Sequence, residues 1–158
     1  GYISIYYYGW QTQGIGYISE DKIPKNADLI KKFKVYISKA YGAGEVYPHQ
    51  IINVPLFGDK GTCCTETYLV IGPFESKEIS ENVISYMKTK FFRLLVLLIK
   101  NTQNAMKKVY KFVPLQDFTS TSDIDWSKPV ADIDRQLYAK YGLSEDEVAF
   151  IEGMIKGM

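Results

Sequence analysis

The sequence predicts an α+β fold: a twisted, mainly antiparallel or mixed sheet of about five or six strands, packed by one long helix and followed by two short C-terminal helices. Three observations predict it. The first 75 residues hold short runs rich in Tyr, Ile, Val and Thr, separated by Gly, Pro and Asn, which is strand-and-turn chemistry. From Ser76 onward, Ile79, Val83, Tyr86/Met87, Phe91, Leu94/Leu95 and Leu98 recur at steps of three and four, the spacing of one helix face. Near the end, Gly142 and the Ser144-x-x-Glu147 box punctuate two further helical segments.

Taken in order, Tyr2–Tyr8 is β-branched and aromatic and reads as a strand. Gly9 and the segment Gln11–Gly16 read as a polar loop or bulge, and Tyr17-Ile18 is briefly extended. Gly14-x-Gly16 lacks the third glycine and the βαβ setting of a nucleotide loop. Ser19–Lys25 turns around Pro24, and Asn26–Phe33 gives a helical turn or two. Lys34–Lys39 is a strand running into the glycine-rich turn Ala40–Gly44. Tyr47–Ile52 is extended, with Pro48 placing it at an edge. After the loop Pro55–Gly61, Thr62–Ile71 reads as the central strand, ended by Gly72-Pro73. The helix from Ser76 starts with a good cap residue, carries Glu78 and Glu81 near its positive end, and leaves through a basic, amide-rich exit reaching Lys111. Val109–Val113 suggests a last strand, and Gln116–Pro129, rich in Ser, Thr and Asp, reads as a linker. Asp132–Tyr141 is a short helix closed by Gly142, and Ser144 opens the last one, with Val148, Ile151, Met154 and Ile155 on its apolar face. The organisation expected is a domain over 1–115 and an acidic linker with a helical tail over 116–158.

With 158 residues, 46% hydrophobic and 23% charged, the chain suits one domain with a real core. The net charge of +1 hides a split. Residues 1–115 hold 15 Lys and Arg against 9 Asp and Glu, and residues 116–158 hold 4 against 9. The longest apolar run, Leu94–Ile99, is far short of the roughly 20 residues of a membrane span, so no membrane partner is expected. Cys63 and Cys64 are adjacent, point to opposite faces of a strand and make a poor disulfide, which suggests a reducing, cytoplasmic setting. The chain starts at Gly1 inside an apparent strand, which suggests a fragment of a larger enzyme.

Catalytic sets are sparse. The single histidine, His49, follows Pro48 in a loop-like stretch, and one His with two vicinal Cys makes no metal ligand set. The Glu-x-Lys triplets Glu20-Asp21-Lys22 and Glu75-Ser76-Lys77 number about what chance gives at this content. No catalytic residue, metal site or cofactor is expected in this chain. Nucleic-acid chemistry is better represented. From Ser85 to Lys111 the charges are all positive, and Asn101-Thr102-Gln103-Asn104 precedes Lys107-Lys108. Lysines neutralise phosphates, and amides pair with adenine edges. Trp10–Gln13 is a second polar–aromatic loop, and Lys39–Gly44 is a third, where glycine admits a phosphate close to the backbone. The DNA-binding residues expected are Trp10, Gln11, Gln13, Lys39, Tyr41, Gly42, Gly44, Lys88, Lys90, Arg93, Asn101, Gln103, Lys107 and Lys108. Lys90 and Arg93 are expected near phosphate and the two earlier loops near bases. Singly, each feature also reads as an ordinary turn or a solvated face.

The blocks Thr62–Gly72, Glu81–Arg93, Asn101-Thr102-Gln103 and Phe112–Phe118, with the tail Tyr138–Glu152, resemble the C-terminal region of bacterial restriction–modification adenine-specific DNA methyltransferases, including the fused restriction–methylation type. The likeness covers the chain from about Lys34 onward. The helix bearing Tyr86-x-x-Thr89-Lys90-Phe91-Phe92-Arg93, then Val113-Pro114-Leu115-Gln116, is also distantly similar to type I specificity subunits. The resemblance implies a target recognition domain for double-stranded DNA. Its partner would be the catalytic domain of the parent chain, which binds S-adenosylmethionine, with Mg²⁺ if the parent also cleaves. The family's Asn-Pro-Pro-Tyr/Phe motif and cofactor glycine motif do not occur here. Two other readings stand beside this one: a metal-dependent nuclease using Asp59, Glu75 and Lys77, and a protein-interaction module docking through the acidic tail.

Overall fold

The computed structural model describes residues 1–9, 12–39, 46–100 and 113–158. The architecture is α+β, with two three-stranded sheets rather than one larger sheet. Strands β1 (Tyr2–Gly9) and β2 (Thr12–Ser19) form an antiparallel hairpin with Tyr8 opposite Gln13, so the polar run after Gly9 is strand rather than loop from Thr12 on. Strand β5 (Thr62–Cys64) joins β1 in parallel, but only over Ser4–Tyr6. The second sheet has order β4-β3-β6, all antiparallel, with β3 at Phe33–Ser38, β4 at Leu56–Gly58 and β6 at Tyr68–Phe74. Short 3₁₀ turns at Glu20–Lys22 and Ala27–Lys31 join the sheets.

The run Thr62–Ile71, expected to be one central strand, is two strands in different sheets. Thr65 and Thr67 divide it: their hydroxyls lie 2.6 Å apart, and the Thr65 carbonyl accepts from Tyr68 N–H at 3.2 Å. Hydroxyl residues compete with a ladder in this way. Conversely, Gly72-Pro73 does not end β6. The register shifts between Phe33 and Val35 on the facing strand, so the pair sits in a bulge of an edge strand, where proline is tolerated and Gly72 takes φ +132°.

The expected long helix is two helices, α1 (Lys77–Lys88) and α2 (Lys90–Lys100), broken at Thr89. Ser76 caps α1 by accepting from Ile79 N–H at 3.1 Å. Thr89 is buried and extended, with ψ 150°. Its hydroxyl donates to Tyr86 O at 2.6 Å and accepts from Phe92 N–H at 3.1 Å, closing one helix and capping the next. Asp134 completes the cap: its carboxylate accepts from Lys90 N–H at 3.0 Å and Phe91 N–H at 2.9 Å. The break resets the helix phase, so Val96 is fully buried while Leu98, expected in the apolar stripe, is exposed.

Helices α3 (Val130–Lys140) and α4 (Glu145–Met154) close the chain as expected. Gly142, at φ +63°, ends α3 with Leu143 N–H bonded to Tyr138 O and its own N–H to Ala139 O, a Schellman closure. The Ser144–Glu147 capping box is fully formed. Residues 116–129 are not a free linker. Trp126 and Ile124 are buried in the helical core, Trp126 Nε1 donates to Asp117 O at 2.8 Å, and the Trp126 ring lies 5.8 Å from Tyr86 and 5.1 Å from Phe118. Its Asp residues bond their own turns: Asp117 accepts from Thr119 N–H and Asp125 from Ser127 N–H. The Tyr47–Ile52 stretch forms a parallel bridge, His49 to Ile155, just after α4. The expected strand at Val109–Val113 and the exit to Lys111 lie outside the described residues, save Val113. No helix among the described residues is long and apolar enough to cross a membrane.

These elements stack on β3. Val35 and Ile37 face the helical core with Val83, Met87 and Phe91. Lys34, Tyr36 and Ser38, on the opposite face, are also buried. There Tyr36 lies 5.2 Å from Tyr6 and Tyr68 lies 6.3 Å from Tyr8, ring to ring, so the two sheets meet through tyrosines. Burial raises the Tyr36 and Tyr68 hydroxyls above the usual phenol range. Replacing Asp134 with Ala strips the part-buried Lys90 N–H and the buried Phe91 N–H of their acceptor. Urea unfolding is expected to show a loss of about 2–3 kcal/mol, and a loss below about 0.5 kcal/mol would contradict this role for the carboxylate.

Candidate nucleic-acid interface

The two early loops singled out in the sequence leave from strand ends that the fold ties together. Tyr8 N–H, next to the hairpin tip, donates to Thr67 Oγ1 at 3.1 Å. Lys39 N–H, just beyond β3, donates to Thr67 O at 3.0 Å. Thr65 N–H donates to Tyr6 O at 2.9 Å, and the Tyr68 ring meets Tyr8 edge-on at 6.3 Å. Thr67 is thus the joint between the hairpin of the first sheet and the exit of the second. Strand β5 pairs with β1 only as far as Tyr6, and Tyr7–Gly9 and Thr12–Gly14 continue as a two-stranded ribbon tied to Thr67 and Tyr68 through Tyr8. Gln13 and Tyr7 are exposed on that ribbon, and Lys39 is exposed beside it. Glu66 is an exposed carboxylate on the connecting turn. Trp10, Gln11, Tyr41, Gly42 and Gly44 lie outside the described residues.

The helix residues are placed differently. Arg93 was expected near phosphate, but it is fully buried. Its guanidinium donates to Lys88 O at 3.0 Å, Thr89 O at 3.2 Å and Gln50 O at 3.2 Å, holding the α1–α2 break against the Tyr47–Ile52 stretch. A guanidinium used this way is a structural tie. Lys90 is ion-paired with Glu152 of α4. Lys88 is half-buried, and its carbonyl serves Arg93. The absence of acids between Ser85 and Lys111 therefore reflects in part an internal match, because Glu152 and Asp134 of the acidic tail meet α2. Asn101, Gln103, Lys107 and Lys108 lie outside the described residues.

A cleft of about 830 Å³ runs past β5 and β6, lined by Cys63, Cys64, Tyr68 and Leu69, with Lys34 and Leu29 behind. Both cysteines are unpaired thiols. Burial pushes the Cys64 thiol up to about 11 and raises Cys63 too, so neither is a thiolate near neutral pH. Lys34 is the feature that the sequence did not reveal. Its ammonium, 1% exposed as a residue, lies near the carbonyls of Leu29 (2.9 Å), Lys32 (3.1 Å), Ile30 (3.4 Å) and Asp59 (3.0 Å). It ties the Ala27–Lys31 turn to the β4–β5 turn. Thr62 Oγ1 also donates to Asp59 O at 2.6 Å and accepts from the Tyr36 hydroxyl at 2.9 Å. Burial lowers the Lys34 pKa to about 8, against the raising effect of Cys63, Cys64 and Asp59. The only sequence signal was its alternation with Val35 and Ile37, a lysine on the second face of a strand too hydrophobic to be half-solvated.

Lys77 lies over the Phe57 ring at 5.4 Å and 3.9 Å from Glu81, and Asp59 Oδ1 accepts from its neighbour Lys60 N–H at 2.7 Å. Among the described residues, no group of three or more His, Cys, Asp or Glu is placed to hold a metal ion. His49 packs edge-on to Tyr47 at 5.8 Å.

Comparison with known proteins adds no relative: no family model, no curated protein and no solved structure matches the chain.

The depressed Lys34 value has a testable sign. Between about 8 and the ordinary lysine value of 10.5, the folded chain binds fewer protons than the unfolded chain, so stability rises with pH across that window. Urea unfolding of wild type minus Lys34→Met is expected to be flat below about pH 8. It should then move in favour of wild type up to pH 10.5, and a difference constant through that window would contradict the placement.

Proposed function

We propose that this chain is a double-stranded DNA recognition domain of a restriction–modification adenine-specific DNA methyltransferase, itself non-catalytic. The observation that carries the reading is the ribbon Tyr7–Gly9/Thr12–Gly14 joined through Thr67 to the strand end bearing Lys39. A two-stranded β-ribbon is narrow enough to enter the major groove, where each base pair shows a distinct pattern of donors and acceptors. Gln13 on the ribbon carries an amide suited to adenine N6/N7, and Lys39 sits where it would neutralise a flanking phosphate. The resemblance of Thr62–Gly72, Glu81–Arg93 and Phe112–Phe118 to the recognition region of these methyltransferases supports the same reading.

On this reading the helices are scaffold. Arg93, Lys90 and Asp134 fix the α1–α2 break, which holds β3 and so the ends of both sheets. The partner within the enzyme is its catalytic domain, where S-adenosylmethionine would bind. This chain has neither the Asn-Pro-Pro-Tyr/Phe motif nor the cofactor glycine motif, so it offers that cofactor no recognisable site. A cytoplasmic setting fits the two free thiols, Cys63 and Cys64.

Salt titration of duplex binding tests the proposal. The chain is expected to bind duplex DNA at low salt, with affinity falling steeply as salt rises. Lys39→Ala is expected to weaken binding to every duplex and to reduce the slope of log K against log salt by about 0.9, the value of one phosphate contact. Gln13→Ala should instead flatten discrimination between duplex sequences with the slope unchanged. An absence of duplex binding at low salt would overturn the proposal.

A further inference from the structure

At the opposite end of β3 from Lys39, the structure builds a second cationic surface. Lys31 and Lys32 end the 3₁₀ turn, Lys60 lies on the β4–β5 turn and Lys77 opens α1, all exposed. They surround aromatic side chains. Lys60 Nζ lies 4.8 Å from the Phe33 ring centroid and Lys77 Nζ 5.4 Å from that of Phe57. The two rings stack at 6.1 Å and 27°. A cavity of about 420 Å³ opens here, lined by Lys31, Lys32, Lys60, Phe33 and Phe74, with the Glu75 carboxylate among the described residues at its wall. Ring faces attract ammonium groups and hold them over a fixed position.

The surface is braced from beneath. The Lys34 ammonium bonds the carbonyls of Leu29, Lys32 and Asp59, so the turns bearing Lys31, Lys32 and Lys60 are fixed to one another. In contrast to Lys90 and Lys140, which are paired with Glu152 and Asp123, Lys31, Lys32 and Lys60 appear in no ion pair among the described residues.

We infer that the Lys31–Lys32–Lys60 surface binds the sugar–phosphate backbone of the DNA whose bases the ribbon reads, as a second, sequence-independent anchor. The inference rests on the proposed DNA recognition and adds a surface to it. The two sites are separated by the six residues of β3, about 20 Å at the rise of a strand, or roughly six base pairs of duplex. One duplex is long enough to reach both.

The test uses a labelled 25-base-pair duplex of random sequence, with Lys31→Gln/Lys60→Gln compared with Lys128→Gln/Lys156→Gln. Both variants remove two exposed charges, so net charge is matched. Thermal melts check that each is folded. The first pair is expected to weaken binding about tenfold or more and to lower the salt slope by about 1.8, equally for all sequences. The second pair should leave the slope near the wild-type value. Equal, small effects from both pairs, with wild type still binding, would overturn this inference and leave the ribbon reading standing. A wild-type chain that does not bind the duplex would overturn both.

Discussion

Strand β3 is buried on both faces, and the other elements take their positions from that constraint. Val35 and Ile37, fully buried, supply the sheet side of the helical core, each contributing roughly 1.5–3 kcal/mol of burial. On the reverse face the chain places a lysine, a tyrosine and a serine, and each polar group must find a partner away from water. The Lys34 ammonium finds backbone carbonyls, the Tyr36 hydroxyl finds Thr62 and Ser38 Oγ accepts from Asn53 Nδ2 at 2.6 Å. Those bonds decide where the 3₁₀ turn, the β4–β5 turn and the first sheet sit. The polar face of β3 therefore orients, while its apolar face stabilises.

The charge asymmetry along the sequence has a structural meaning. A basic N-terminal part and an acidic tail invite a reading in which the basic part faces a polyanion. Much of the complementarity is instead internal. Glu152 meets Lys90, Asp134 caps α2, and Asp123 meets Lys140 within the tail itself at 2.9 Å. Asp134 is buried, and burial raises its carboxyl above the usual range against the bonds from Phe91 and Lys90 N–H. Among the described residues, exposed lysines that meet no carboxylate of the tail include those at the two ends of β3. There Lys39 stands at one end and Lys31, Lys32 and Lys60 at the other. The partition takes Arg93 and Lys90 of α2 into internal contacts and leaves Lys39, Lys31, Lys32 and Lys60 exposed.

Local punctuation was legible in the sequence, and tertiary substitutions for it were not. Ser76, Gly142 and the Ser144–Glu147 box act through residues within one turn, and each does in the structure what its chemistry predicts. Thr89 carries no comparable signal. The apolar period runs through it from Met87 to Phe91, and the carboxylate that completes the cap comes from Asp134, far along the chain. Likewise the Ser, Thr and Asp of 116–129 look like a solvated linker, because nothing local says that Ile124 and Trp126 will find the helical core. The candidate site divided on the same line. Gln13, read as part of a polar loop, is exposed but lies in strand β2, and Lys39 is exposed just past the end of β3. Arg93, chosen for its charge alone, is taken inward by the carbonyls that the Thr89 break exposes.

We propose that the helices are scaffold and that the sheet ends face the DNA. Backbone amide chemical shifts, followed while an unlabelled duplex is added to isotope-labelled protein, test it most directly. The account predicts perturbation at Gln13, Lys39, Thr65–Thr67, Lys31, Lys32 and Lys60, with the amides of α2, α3 and α4 unmoved. Perturbation concentrated on Lys88–Ile99 and α4, with Gln13 and Thr67 unaffected, would contradict it.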